Sequence, residues 1–242
     1  MMPAYNAEAT LVQTHAQILE QEYVDSIIIV DDASNDRTVD LARRLPRTKV
    51  FAHASNLGYG ANQKTCYRQA LLEDGDIIIM VHADYQYTPK LIPAFVSLVG
   101  SGLYHCVLGS RILGGQALKG GMPLYKYIAN RVLTFAENLF TGAKLSEYHT
   151  GYRAFSRELL EKVPFENNSD DFVFDNQIIA QILWIGYTVA EITCPTNYFP
   201  GASSIKLLDS LKYGGGCLVT ALTYRLAKMH LIRPKLFKGR ET

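Results

Sequence analysis

The chain has 242 residues, 48% of them hydrophobic, enough to bury a full core as one large domain. Its net charge of +1 hides an asymmetry: residues 206 to 242 hold eight Lys/Arg against two Asp/Glu, a net of +6, which leaves −5 for residues 1 to 205. The four cysteines form no CxxC pair, which argues against a zinc ribbon or a disulfide framework and for a reducing, cytoplasmic setting.

In chain order, "SIIIVDD" (26 to 32), "TKVFAH" (48 to 53), "DIIIMVH" (76 to 82) and "HCVLGS" (105 to 110) are Ile/Val-rich runs bounded by Gly, Asp or Asn. They are too continuous for half-exposed strands and predict buried parallel strands. Between them, residues 35 to 45, 60 to 74 and 88 to 99 predict helices, the last opening on Thr88 as cap and Pro89 at the first helical position. Strand and helix alternation implies an α/β fold with an open, mostly parallel sheet and right-handed crossovers. Beyond a glycine-rich loop at 114 to 121 come a helix near 123 to 141, a short "YRAFS", a helix near 174 to 185 and a strand "TVAEITC" (188 to 194). The expected organisation is one domain over residues 1 to 205 and a basic, helix-rich tail over 206 to 242. The tail has Leu207, Leu208, Leu211, Leu218, Leu222 and Leu226 among cationic residues. It either packs on the sheet or lies at an anionic membrane surface.

In an open parallel sheet, ligands bind beyond the carboxyl ends of the strands. Asp31 and Asp32 close one predicted strand and Asp84 follows another, either as helix caps or as site residues. If residues 82 to 86 are extended, His82, Asp84 and Gln86 share one side of the chain and converge on a cation. A carboxylate and an amide oxygen suit Mg²⁺ or Mn²⁺, with substrate phosphates completing the shell. There is no GxxxxGK[ST] stretch, and "NLGYGANQ" lacks the dinucleotide fingerprint, which excludes a P-loop NTPase and a typical dehydrogenase.

In order, "PAYNA" (3 to 7), "VDDASNDRT" (30 to 38), "NLGYGAN" (56 to 62), "HADYQY" (82 to 87), "GSR" (109 to 111) and "HTGYRAF" (149 to 155) resemble the motifs of inverting family 2 glycosyltransferases of the GT-A fold. The nearest branch resembles the dolichyl-phosphate and polyprenyl-phosphate sugar transferases. The resemblance implies that Pro3 and Tyr5 flank a nucleotide base and that Asp31 or Asp32 reads the base or ribose. Ala83 and Asp84 match the centre of a DxD-type motif, with Asp84 the metal carboxylate and Gln86 a second ligand. Arg111 matches an arginine beside the donor diphosphate, and Arg153 a basic position in the acceptor half. Arg153 could equally pair with Asp170 or Asp171, and Arg111 could be a surface residue.

Asp175 matches an acid at a helix start and is a candidate base, although a carboxylate favoured by the helix N-terminus explains it as well. The implied activity is metal-dependent transfer of a sugar from a UDP- or GDP-sugar to a polyprenyl or dolichyl phosphate, at the inner face of a membrane and in cell-envelope assembly. A saccharide hydroxyl acceptor is the alternative within the class, and a non-catalytic sugar-nucleotide-binding protein the alternative outside it. No nucleic-acid partner is expected.

The sequence departs from the pattern in four places. The apolar segment that opens the family's sheet is absent before "MMPAYN", so the first strand is expected to be missing and an upstream segment to supply it. His82 stands where the first DxD acid is expected, and Ala7 where an acid often follows the loop tyrosine. In "YFPGASSIK", Tyr198 and Ser204 replace an arginine and a lysine, with Lys206 as a possible substitute.

Overall fold

The computed structural model describes residues 1–196 and 207–237, with side chains described in the last helix from residue 210 onward. Strands β1 (Met2–Ala4), β2 (Ile27–Asp31) and β3 (Thr48–Ala52) pair in parallel in the order β1-β2-β3. Strands β4 (Ile77–Met80), β5 (Cys106–Ser110), β6 (Arg153–Ser156) and β7 (Val189–Thr193) pair in the order β4-β6-β5-β7. β6 runs antiparallel to both neighbours, while β5 and β7 are parallel.

Met1 stitches the two groups together, its amine donating to Ile79 O at 2.7 Å and its carbonyl accepting from Val81 N at 3.1 Å. The first strand is therefore present, in correction of the expectation that it is missing. β1 pairs in parallel with β2, and Met2, Pro3 and Ala4 are all buried. A groove of about 390 Å³ lined by Met1, Ile27, Ile28, Ile77 and Ile78 runs where β1 is shorter than β2 and β4. It lies at the end of the sheet opposite Asp84.

Helices α1 (Leu11–Leu19), α2 (Thr38–Ala42), α3 (Tyr59–Leu71), α4 (Ile92–Gly100), α5 (Leu124–Thr141), α6 (Arg157–Lys162), α7 (Phe174–Trp184) and α8 (Leu207–Lys228) complete the described elements. β2 and β5 are buried along their whole length, as continuous Ile/Val runs demand. β3, expected to be buried, is an edge strand with no fully buried residue. Thr88 caps a single turn at Pro89–Leu91 ahead of α4, its hydroxyl accepting from Lys90 N at 3.4 Å.

One helix is built inside out. α5 buries the polar stripe Asn130, Thr134, Glu137 and Thr141 and exposes Leu124, Ile128, Val132, Phe135 and Leu139, each more than half exposed. Both stripes follow the helical period, so the polar face is the inner one. α8 packs on α5 and α7 rather than on the sheet. It buries Cys217, Thr220, Ala221, Tyr224 and Ala227 and turns Leu211, Leu218, Val219 and Leu222 outward. Among the described residues, no helix is long and apolar enough to cross a membrane. Cys66, Cys106, Cys194 and Cys217 are all buried free thiols.

Candidate active site

β4 ends at Met80, and residues 82 to 86 are a turn rather than an extension of the strand, with Tyr85 left-handed at φ 58°. His82, Asp84 and Gln86 therefore do not share one side of a strand, which corrects the convergence expected from alternation. α1 holds the turn: Thr10 Oγ1 donates to Ala83 O at 2.7 Å and Gln17 Nε2 donates to the Tyr85 hydroxyl. Asp84 Oδ1 accepts from Gln86 N at 3.1 Å, closing an Asx-turn. Among the described residues Asp84 Oδ2 has no hydrogen-bond partner, and Gln86 is 8% exposed.

His82 faces the other way. Its Nε2 lies 3.0 Å from the Tyr59 hydroxyl, which donates to Asp175 Oδ2 at 2.8 Å. The single phenolic proton is committed to the carboxylate, so Nε2 carries the imidazole proton and Nδ1 keeps the lone pair. Only Nδ1 of this residue is left to reach a cation. Gly151 makes room for the ring, since a Cβ there would lie 2.5 Å from His82 Cε1 and Nε2.

Asp175, at the start of α7, is 8% exposed and engaged through both oxygens. Besides Tyr59 on Oδ2, Gln63 Nε2 donates to Oδ1 at 2.8 Å and Arg153 Nη1 lies 3.3 Å from Oδ1. Arg153 is fully buried and also donates to Thr150 O at 2.7 Å, Asp175 O at 2.8 Å and Tyr148 O at 3.3 Å. Its guanidinium reaches no surface. The expectation that it binds donor or acceptor is corrected, and so is its alternative pairing with Asp170 or Asp171. Asp170 instead pairs with Lys64 at 2.7 Å, and Asp171 Oδ1 accepts from Val173 N at 3.0 Å ahead of α7. Burial raises the Tyr59 phenol well above its ordinary range, reinforced by the neighbouring Asp175 charge, so it stays a donor at every working pH.

Both acids that close β2 shape loops. Asp31, 1% exposed, accepts from Ser34 N at 2.8 Å. Asp32 accepts from Leu57 N at 2.9 Å, Gly58 N at 3.0 Å and His53 Nδ1 at 2.8 Å, which fixes the path of "NLGYG". Pro3 lies buried in β1, whereas Tyr5 just beyond is 49% exposed at the carboxyl edge.

Arg111, directly after β5, donates through Nε to Glu147 Oε1 at 2.9 Å and through Nη2 to His149 O at 2.7 Å. Its own backbone N–H reaches Glu147 Oε2 at 2.8 Å, and Asn130 of α5 donates to Oε1 at 2.8 Å. Burial alone would push the Glu147 carboxyl up, but the Arg111 guanidinium and its hydrogen bonds hold it below the ordinary range. A diphosphate at this corner would share Arg111 with a buried carboxylate. Tyr59, Gln63 and Glu147 were not singled out by sequence reasoning, and nothing in "NLGYGANQ" or "SEYH" sets them apart from loop and helix residues. Tyr198, Ser204 and Lys206 lie outside the described residues.

A parallel-dominated sheet whose carboxyl edge carries an acid-bearing turn, a loop-fixing aspartate and a post-strand arginine defines a GT-A nucleotide-sugar transferase fold. Residues 1–164 match the model of Glycosyl transferase family 2, and the chain belongs to that family and is a glycosyltransferase. It is 32% identical over 198 residues to an uncharacterised protein of Methanocaldococcus jannaschii, covering 82% of this chain and 80% of that one. It is 30% identical to the UDP-N-acetylglucosamine–dolichyl-phosphate N-acetylglucosaminyltransferase of Methanococcus voltae, covering 66% of this chain and 70% of the relative. In structure it resembles glucosyl-3-phosphoglycerate synthase of Mycobacterium tuberculosis, with a TM-score of 0.68 at 21% identity over 93% of this chain and 78% of that one. That enzyme has been solved with Mn²⁺ or Mg²⁺ and UDP.

Proposed function

We propose that the protein transfers a sugar, with inversion, from a UDP- or GDP-sugar to a lipid phosphate at the cytoplasmic face of a membrane. The observation that carries the lipid reading is α5, which exposes five large apolar side chains along one face while burying its polar stripe. An apolar face of this size needs a cover. Lys126 and Arg131 are the basic residues of α5, and its one acid, Glu137, is buried. An exposed apolar helix face without an exposed acid suits the interface of an anionic bilayer. Asn130 ties the same helix to Glu147 and so to the Arg111 corner, which brings a docked bilayer beside the donor.

In this reading Pro3 and Tyr5 flank the base, and Asp31 and Asp32 shape the loops that receive base and ribose. Ala83 sets the turn that presents Asp84, and Arg111 faces the diphosphate. Asp84 Oδ2 fits a hard divalent ion held by one carboxylate and the substrate phosphates, with Gln86 as the second ligand the family resemblance implies. When bound, Mg²⁺ or Mn²⁺ offsets the charge that grows on the leaving diphosphate. A phosphate oxygen of the acceptor attacks the anomeric carbon from the opposite face, and the electron pair of the breaking C–O bond leaves with the diphosphate. A phosphate acceptor is already an anion at neutral pH and needs no general base. Asp175, engaged by Tyr59, Gln63 and Arg153, is held as a structural carboxylate, which disfavours a hydroxyl acceptor that would depend on it.

Two measurements bear on this reading. Wild-type protein is expected to sediment with phosphatidylglycerol vesicles, and Val132→Glu/Phe135→Glu to lose at least about tenfold in partitioning, because each charge must enter an apolar layer. Both side chains are more than 60% exposed, so the melting temperature should hold. Wild-type protein that ignores anionic vesicles would remove the membrane from the proposal. Separately, His82→Asp is expected to raise Mg²⁺-supported turnover relative to Mn²⁺, because it replaces an imidazole with a hard oxygen donor. An unchanged ratio would place His82 outside the metal's ligand set.

A further inference from the structure

A second cluster of ligand-type side chains lies away from Asp84, in the core between α5, the loop before β6, and α8. Glu137, His149 and Cys217 place one carboxylate oxygen, one imidazole nitrogen and the thiol sulfur within 4.8 Å of one another. Glu137 is 1% and Cys217 0% exposed, and the His149 side chain is 7% exposed. Nothing in the proposed sugar transfer uses them.

The far atoms of the two polar ligands are already fixed. Asn176 Nδ2 donates to Glu137 Oε1, and the Tyr213 hydroxyl lies 2.8 Å from His149 Nδ1. The near atoms, Glu137 Oε2 and His149 Nε2, are 3.2 Å apart, yet neither makes a hydrogen bond. In a simple buried ion pair the ring N–H would point at the carboxylate oxygen, because leaving both unsatisfied costs about 1–3 kcal/mol each. Here Cys217 Sγ is the third ligand-type atom of the group, within 4.8 Å of the other two side chains' ligand atoms. Metal–ligand bonds of about 2.0–2.3 Å in a tetrahedron set ligand atoms roughly 3.3–3.8 Å apart, against 3.2 Å between Glu137 Oε2 and His149 Nε2 and an outer bound of 4.8 Å for the whole group. The outer hydrogen bonds from Asn176 and Tyr213 are of the kind that orient metal ligands. Gly216 allows the approach, since a Cβ there would lie 2.5 Å from Val173 Cγ2.

We infer that Glu137, His149 and Cys217 form a second metal site, for a borderline-soft divalent ion of the zinc type, with a water as fourth ligand. The thiolate and imidazole select against Mg²⁺ and Mn²⁺, so this site and the Asp84 site take different ions. Binding displaces the thiol proton to solvent and joins α8 to α5 and to the His149 loop, whose carbonyl accepts from Arg111. The ion is a clamp on the C-terminal helix.

The test uses full-length Asp84→Ala protein, stripped of metal, so that its outcome does not depend on the donor site. Titration with Co²⁺ is expected to bind one equivalent with a thiolate-to-metal charge-transfer band and the visible bands of a tetrahedral ion, which one equivalent of Zn²⁺ bleaches. Cys217→Ser on the same background should lose the charge-transfer band and the Zn²⁺-induced rise in melting temperature. A titration without a thiolate band overturns the inference, as does a band that survives in Cys217→Ser. If that variant fails to fold, the titration of the protein with its cysteines intact decides alone.

Discussion

Asp84→Ala is expected to lower Mn²⁺-supported release of nucleoside diphosphate by roughly three orders of magnitude, about 4 kcal/mol in the barrier. The loss is large because Asp84 is the carboxylate the structure presents at the turn after β4, with Oδ1 closing an Asx-turn on Gln86 N at 3.1 Å. His82 contributes no second acid and has Nε2 committed to Tyr59. Folding should suffer little, because the turn is also held by Thr10 through Ala83 O, and one net hydrogen bond is worth about 1 kcal/mol. The expected signature is therefore a protein that melts as wild type, binds UDP or GDP without the usual gain from Mn²⁺ in a thermal-shift series, and turns over at the rate of wild type in EDTA. Wild-type turnover in the variant would remove the ion from Asp84.

The parts of the fold visible in the sequence are those where burial on both faces leaves no choice of pattern. β2 and β5 read as unbroken apolar runs because every residue in them is buried. β3 reads the same way, yet it is an edge strand, and an apolar run alone does not say whether a neighbour covers it. The turn at "HADYQY" was hidden for a different reason. Alternation assumes an extended chain, whereas Tyr85 adopts φ 58° under the hold of Gln17 and Thr10 from α1, a helix with no side-chain cap to announce it.

The position of α5 was legible but its facing was not. Periodicity finds an amphipathic helix and assigns the apolar stripe to the core. Here Asn130 and Glu137 are drawn inward by Glu147, His149 and Asn176, partners far enough along the chain that no local pattern reveals them. The same holds at the site. Asp84 and Arg111 stand out because they follow strands, while Asp175 and Arg153 look like site residues in the sequence and become each other's partner only on folding.

That pairing sets the second large effect, which is on stability. Arg153→Ala is expected to destabilise the protein by about 3–5 kcal/mol, the cost of stranding a buried carboxylate whose counter-ion is removed. Arg153 is 0% exposed and serves the carbonyls of Thr150, Asp175 and Tyr148 as well as the Asp175 carboxylate, so the substitution leaves four acceptors short. Lysine should rescue only part, because one ammonium cannot copy the planar fork that reaches all four. Urea unfolding checks the magnitude, and a loss under about 1 kcal/mol would mean that Asp175 is satisfied by Tyr59 and Gln63 alone. Kinetics separates this role from direct substrate contact. If Arg153 acts only through Asp175, the folded fraction of Arg153→Lys should keep its KM for donor and acceptor. A KM that rises tenfold while the melting temperature holds would return Arg153 to the substrate.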